Sequence, residues 1–192
     1  MARRKLDMLN IMSIAMSTRK ITSGEKRIEQ FKILLSRAYN IMRGWYDYNC
    51  LKEKIENKNL IFKVFEIIIV KIAFCDNKIN QEEYELYCAF AKYCKFEPKT
   101  IKGCKDLYRK TTVDYLKQCI LYVLKFRDII PPDMWEQMIL GFCFLPFAND
   151  IIYEIEYYII SAFFEDDFDT KPKTWEEFKN VWKSKFPTII IY

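Results

Sequence analysis

Histidine is absent from all 192 residues of this chain. That absence removes Ser-His-Asp and Cys-His nucleophile activation, Cys₂His₂ zinc sites and imidazole acid–base catalysis. Glycine (4) and proline (6) are scarce, which disfavours sandwiches and barrels with their many tight turns. The seven cysteines, at positions 50, 75, 88, 94, 104, 119 and 143, form no CxxC pair and are odd in number. They are expected to be reduced, buried thiols of a cytoplasmic protein, not a disulfide framework or a zinc site. Long apolar runs are missing too. Residues 60–75 are interrupted by Lys63, Glu66 and Lys71 and are too short to span a bilayer; residues 138–148 are shorter still. The start, MARRKLDMLNIMSIAMSTRK, is broken by Asn10, Ser13 and Ser17 and reads as a mature N-terminal arm, not a signal peptide. No transmembrane segment is expected.

What is present is a chain with 51% hydrophobic and 17% aromatic residues, long enough to bury a core and far from the composition of a disordered segment. Its charge is unevenly placed. Residues 1–50 carry ten Lys/Arg against four Asp/Glu, a net of +6, whereas residues 128–170 carry ten Asp/Glu and no Lys or Arg, a net of −10. A basic end can attract nucleic acid or acidic headgroups. It can equally fold against the acidic lobe, and the scattering of its charges favours that.

Nearly every segment reads as helix. In residues 23–58, Ile28, Phe31, Leu34, Leu35, Ala38, Ile41 and Met42 recur at amphipathic spacing. Residues 59–74 are apolar all round, as in a helix at the centre of a bundle. A helix over 81–95 starts with Asn80 and Glu83 in capping-box relation. Pro98 is expected to open a short helix to 109, Thr111 or Thr112 to cap the next, and Pro131-Pro132 to stop it. Asp133 is placed as the cap of a helix to about 147, followed by helices over 153–164 and 175–185, the last capped by Thr174 with Glu177. The apolar tail, FPTIIIY, is expected to pack back on the bundle, since exposed it would invite aggregation.

Shifting the sequence by 73 positions lays AFCDNKINQEEYELYCAF (73–90) over PFANDIIYEIEYYIISAF (146–163). Ile79 meets Ile152, Glu83 meets Glu156, Tyr84 meets Tyr157, Ala89 meets Ala162 and Phe90 meets Phe163, and both copies fall on helix–turn–helix corners. The first copy reads Ala73-x-x-Asp76-Asn77-x-Ile79-x-x-x-Glu83; the second reads Asn149-Asp150-x-Ile152-x-x-x-Glu156. This pattern resembles that of the TerB-like family, named for the tellurite-resistance protein TerB, over about residues 58–165. Asn77 stands where that family usually has Gly, and in the second copy an amide and Asp150 replace the Asp-Gly pair. The resemblance implies an all-α bundle with two pseudo-equivalent helix pairs. It implies a stress-response or tellurite-resistance context and a non-enzymatic metal-sensing or protein-interaction role. Its acidic corners carry over as Asp76, Glu83, Asn149, Asp150 and Glu156.

Those residues offer oxygen donors suited to a hard divalent cation, Ca²⁺ or Mg²⁺. They do not form an EF-hand: counting from Asp76, the third position is Lys78, the sixth Gln81 and the twelfth Tyr87. A cation site would need both corners together, and the competing explanation is a pair of capping turns. Paired carboxylates could also do acid–base work, but nothing else in the sequence marks a substrate cleft. The acidic run from Glu165 to Asp169 reads as a solvated loop or partner-docking segment.

The expectation is therefore an all-α helical bundle of about seven to eight helices forming one domain. Residues 1–57 are the basic arm and amphipathic helix, 58–165 the duplicated core, and 166–192 the C-terminal helix and tail. The expected role is a non-enzymatic interaction or stress-response module with a protein partner and a divalent cation at Asp76, Glu83, Asn149, Asp150 and Glu156. The alternative is a nucleic-acid-associated helical protein using Arg3, Arg4, Lys5, Arg19 and Lys20.

Overall fold

A nearly all-apolar helix, α1 (Lys58–Ala73), carries the fold. Its sequence, KNLIFKVFEIIIVKIA, presents β-branched and aromatic side chains on every face, so it is stable only where neighbours surround it. They do: Ile61, Phe65, Ile68 and Ile72 are fully enclosed, and α1 contacts four other helices. The computed structural model describes residues 11–14, 33, 36, 37, 40, 43, 44, 58–76, 78–93, 96–127, 131–143, 145, 151–164, 174–185 and 190–191. Among these the architecture is all-α, with seven α-helices from residue 58 onward and only one two-stranded pairing of two residues each.

The remaining elements are α2 (Gln81–Tyr93), α3 (Ile101–Lys110), α4 (Val113–Leu124), α5 (Pro132–Cys143), β1 (Ile151–Ile152), α6 (Glu154–Ser161), a 3₁₀ turn (Ala162–Phe164), α7 (Trp175–Lys185) and β2 (Ile190–Ile191). Helices α2, α3, α4 and α6 pack on α1, while α5 and α7 pack on α6. Strands β1 and β2 are parallel, with Ile151 opposite Ile190 and Ile152 opposite Ile191, so the tail is tied to the segment that enters α6. Ile11 and Met12, in a helical stretch, also reach the core. Positions 33, 36, 37, 40, 43 and 44 are helical and exposed, at the spacing of one solvent-facing helix surface.

Several boundaries differ from the sequence expectation for local reasons. Helix α3 starts at Ile101, not at Pro98, because the Thr100 hydroxyl accepts the Gly103 N–H at 3.2 Å and caps it. Thr111 and Thr112 divide their duties. Thr111 ends α3, its hydroxyl donating to the Leu107 carbonyl at 2.8 Å, and Thr112 caps α4 by accepting from the Tyr115 N–H. Helix α5 begins at Pro132, where a proline loses nothing because that N–H has no helical partner. Asp133 therefore lies in the first turn and is not the cap. The helix stops at Cys143, not near 147; Leu145, which precedes Pro146, is disfavoured in the helical region. Helix α6 closes at Ser161 and tightens into the 3₁₀ turn.

Aromatic rings fill the interior in two connected groups. Phe65 meets Phe90 and Phe142 edge-on at 6.1 and 5.7 Å, and Phe142 lies 5.4 Å from Phe163. Trp175, Phe178 and Trp182 form a stacked column on α7, with Phe178 4.9 Å from Tyr157 of α6.

Candidate functional site

The first corner follows from where α1 runs out. Phe74 and Cys75 donate to the Val70 and Ile72 carbonyls, closing the helix, and Asp76 Oδ1 accepts the Lys78 N–H at 2.9 Å to form the turn. The chain then enters α2 through a reciprocal capping box: Asn80 Oδ1 accepts from the Glu83 N–H at 2.8 Å, and Glu83 Oε2 accepts from the Asn80 N–H at 2.9 Å. At the second corner, 73 positions later, Glu156 Oε2 accepts the Tyr153 N–H at 2.8 Å. The Tyr153 phenol oxygen is engaged with Asp76 instead, and the Glu156 N–H goes to the Tyr153 backbone carbonyl at 3.0 Å, so the carboxylate half of the box is the part the two corners share. The two glutamates nonetheless do the same work at equivalent places, each binding the N–H of the residue that caps its own helix.

The fold brings the corners together. The Tyr153 hydroxyl donates to Asp76 Oδ2 at 3.4 Å. The Cys75 thiol hydrogen-bonds the Glu156 carboxylate, and Asp76, Glu83 and Glu156 all lie within electrostatic reach of one another. Glu83 and Glu156 are 4% and 1% exposed, so water screens them little. Tyr108 of α3 completes the surround. Its ring packs against Phe74 and carries the Lys71 ammonium 4.0 Å from its centroid.

Burial decides the protonation of this cluster. Loss of water pushes the Glu83 carboxyl up to about 7, against the pull of the Asn80 N–H and with help from the charges of Asp76 and Glu82. Burial pushes Glu156 well above the ordinary carboxylate range; the Tyr153 N–H opposes this and the Glu83 charge reinforces it. Cys75 is pushed up by burial and then by the charges of Glu156, Asp76 and Glu83. Tyr153 rises to about 12, from burial and the Asp76 charge. Near neutrality the corners therefore hold a proton on Glu156 and share another with Glu83, while thiol and phenol stay neutral. Such a set can exchange protons but offers no activated thiolate.

Asp76, Glu83 and Glu156 are thus brought into one region. Asn149 and Asp150 lie outside the described residues, as do Arg3, Arg4, Lys5, Arg19 and Lys20. Among the described residues no three Cys, Asp or Glu side chains converge closely enough to hold a metal ion, so these three carboxylates alone do not make a cage. Their oxygen donors suit a hard cation in kind, and they fall short of its six to eight ligands in number. Among the described residues no helix is long and apolar enough to cross a membrane.

Residues that pattern reading passed over are Cys75 and Tyr153, which link the corners, and a separate polar knot between α1, α2 and the segment before α3. Glu66 of α1 accepts from the Tyr87 hydroxyl at 2.8 Å and from Lys99 Nζ at 2.7 Å, and the Tyr87 oxygen accepts the Lys99 N–H at 2.8 Å. A lone glutamate in an apolar helix is the signal that could have found this knot. No family model, no curated protein and no solved structure matches the chain.

Proposed function

We propose that this chain is a non-enzymatic binding module whose paired acidic corners take up a hard divalent cation, Ca²⁺ or Mg²⁺, in place of the protons they otherwise hold. The observation that supports the reading is that three carboxylates from the two halves, Asp76, Glu83 and Glu156, lie within electrostatic reach of one another around two buried glutamates, short of a closed cage. Two buried acids kept close to each other are costly when ionised, and a divalent cation is the simplest species that makes ionisation favourable. Asn149 and Asp150 are the further oxygen donors that the repeat supplies to the same corners. The same role is what the resemblance to the TerB-like family implies, and the stress-response setting rests on that resemblance alone.

Binding in this scheme displaces protons, so apparent affinity rises with pH through the Glu83 value of about 7. The test is calorimetric titration of chelator-treated protein with Ca²⁺ and Mg²⁺ on either side of neutrality, repeated on the Asp76→Ala, Glu156→Ala double variant. The expected result is saturable heat that strengthens at the higher pH, varies with buffer ionisation enthalpy, and disappears in the variant. Absence of both heat and thermal stabilisation above neutrality would reject the reading and leave the corners as capping turns with trapped protons.

A further inference from the structure

The shortest regular elements of the fold sit at the entrance to the second corner. Among the described residues β1 and β2 form the one ladder, with Ile151 opposite Ile190 and Ile152 opposite Ile191. Ile152 is fully buried. The next residue, Tyr153, keeps the extended backbone of the strand (φ −98°, ψ 151°) and caps α6. Two bonds run from this single residue to the acids. Its N–H donates to Glu156 Oε2 at 2.8 Å, and its phenol donates to Asp76 Oδ2 at 3.4 Å. The second bond is long for an O–H···O contact, so a small displacement of Tyr153 breaks it.

The strand that delivers Tyr153 to this position is therefore held from beyond α7. The sequence 188–191, TIII, is β-branched throughout, which suits it to an extended partner strand. A ladder of two residues is far shorter than strands that are stable by themselves, and elements of that kind are the first to open in a folded chain. Helix α7 has its own anchor, the Trp175–Phe178–Trp182 column against Tyr157, so β2 can leave without it. On the far side of the junction the Cys75 thiol, only partly exposed, hydrogen-bonds the Glu156 carboxylate. We propose that Ile190–Ile191 is a strap for the acidic corners. Paired with β1 it holds Tyr153 against Asp76 and Glu156; when it leaves β1 the second corner loosens and Cys75 becomes accessible. The strap governs access to the corners whether or not a cation binds there.

The test is the rate at which iodoacetamide alkylates each cysteine of the full chain, read peptide by peptide by mass spectrometry at one pH with chelator present. Ile190→Pro with Ile191→Pro removes both amide donors from β2. It is expected to raise the Cys75 rate by about tenfold through local opening. Cys104 and Cys143, both fully buried, are expected to stay as protected as in the parent, which shows that the bundle remains folded. Ile190→Val with Ile191→Val keeps good strand formers and is expected to leave the Cys75 rate close to the parent's. Tyr153→Phe deletes the phenol that reaches Asp76 and is expected to give a smaller gain at Cys75 with the strap still in place. An unchanged Cys75 rate in the proline variant overturns the proposal. So does a rise shared equally by Cys104 and Cys143, which would make the segment a general support of the fold, or a Tyr153→Phe variant with no gain at all. Because chelator is present throughout, none of these results depends on whether the corners take a cation.

Discussion

Stability between pH 5 and pH 8 isolates the protonation of the acidic corners, because a chain without histidine has no imidazole to titrate there. Glu83 rises from the ordinary 4.5 to about 7 on folding. The folded carboxyl keeps its proton to a higher pH than the unfolded one, so the native state binds more protons between those values. Stability is then fully present below pH 4.5 and is lost as pH rises through 7, the reverse of the usual salt-bridged carboxylate. At about 1.4 kcal/mol per pH unit, roughly 2.5 kcal/mol disappears between pH 5 and pH 8. Glu156, raised further still by deeper burial, adds a loss of the same sign at higher pH. For a chain of this size the Glu83 contribution corresponds to roughly 5–10 °C in melting temperature. Urea unfolding followed by tryptophan fluorescence, with chelator present, measures it directly, since Trp135, Trp175 and Trp182 are all buried. Glu83→Gln keeps an oxygen for the Asn80 N–H and cannot ionise. It should match the parent at pH 5 and exceed it by about 2 kcal/mol at pH 8. A parent curve that is flat from pH 5 to pH 8, or a Glu83→Gln variant destabilised equally at both, would refute the reasoning.

Other outcomes are equally direct. Phe178→Ala removes the middle ring of the Trp175–Phe178–Trp182 column, which is fully buried; equilibrium unfolding should show a loss of about 3–5 kcal/mol. Tyr87→Phe deletes the hydroxyl that donates to Glu66 and accepts from the Lys99 N–H, and should cost about 1–3 kcal/mol in the same assay. Thr112→Ala removes the α4 cap at a cost of about 1 kcal/mol, with no effect on cation titration.

Much of the fold could be read from pattern because the strongest local signals agreed with the tertiary answer. The all-round apolar run became the central α1, and the Asn80–Glu83 box formed as spaced. Boundaries shifted where two adjacent residues could serve the same purpose: Thr111 and Thr112 are both competent caps, and only packing assigns one to end α3 and the other to start α4. The site was legible as far as local chemistry reaches. Spacing identified Asp76, Glu83 and Glu156, yet periodicity classed Cys75 as a small hydrophobe and Tyr153 as a helix start. Their link to the acids exists only across the α1–α6 contact, which no window of neighbouring residues contains. The exposure of Leu121 and Val113 was hidden for a related reason: both fit the apolar pattern of α4, and pattern does not say which apolar residues the core leaves outside.

The meeting of the two corners also sets the order in which protons enter during folding. Glu83 forms its bond to Asn80 within one helical turn, but it loses water only when neighbours from distant parts of the chain close over it. Glu156 is raised in the same way, first by burial and then by the charge of Glu83, 73 positions earlier. Proton uptake is therefore a property of long-range closure and lags behind helix formation. If that closure follows the rate-limiting barrier, raising the pH from 5 to 8 accelerates unfolding while leaving refolding nearly unchanged. The arms of a chevron recorded at the two pH values would then show on which side of the barrier the halves of the bundle join.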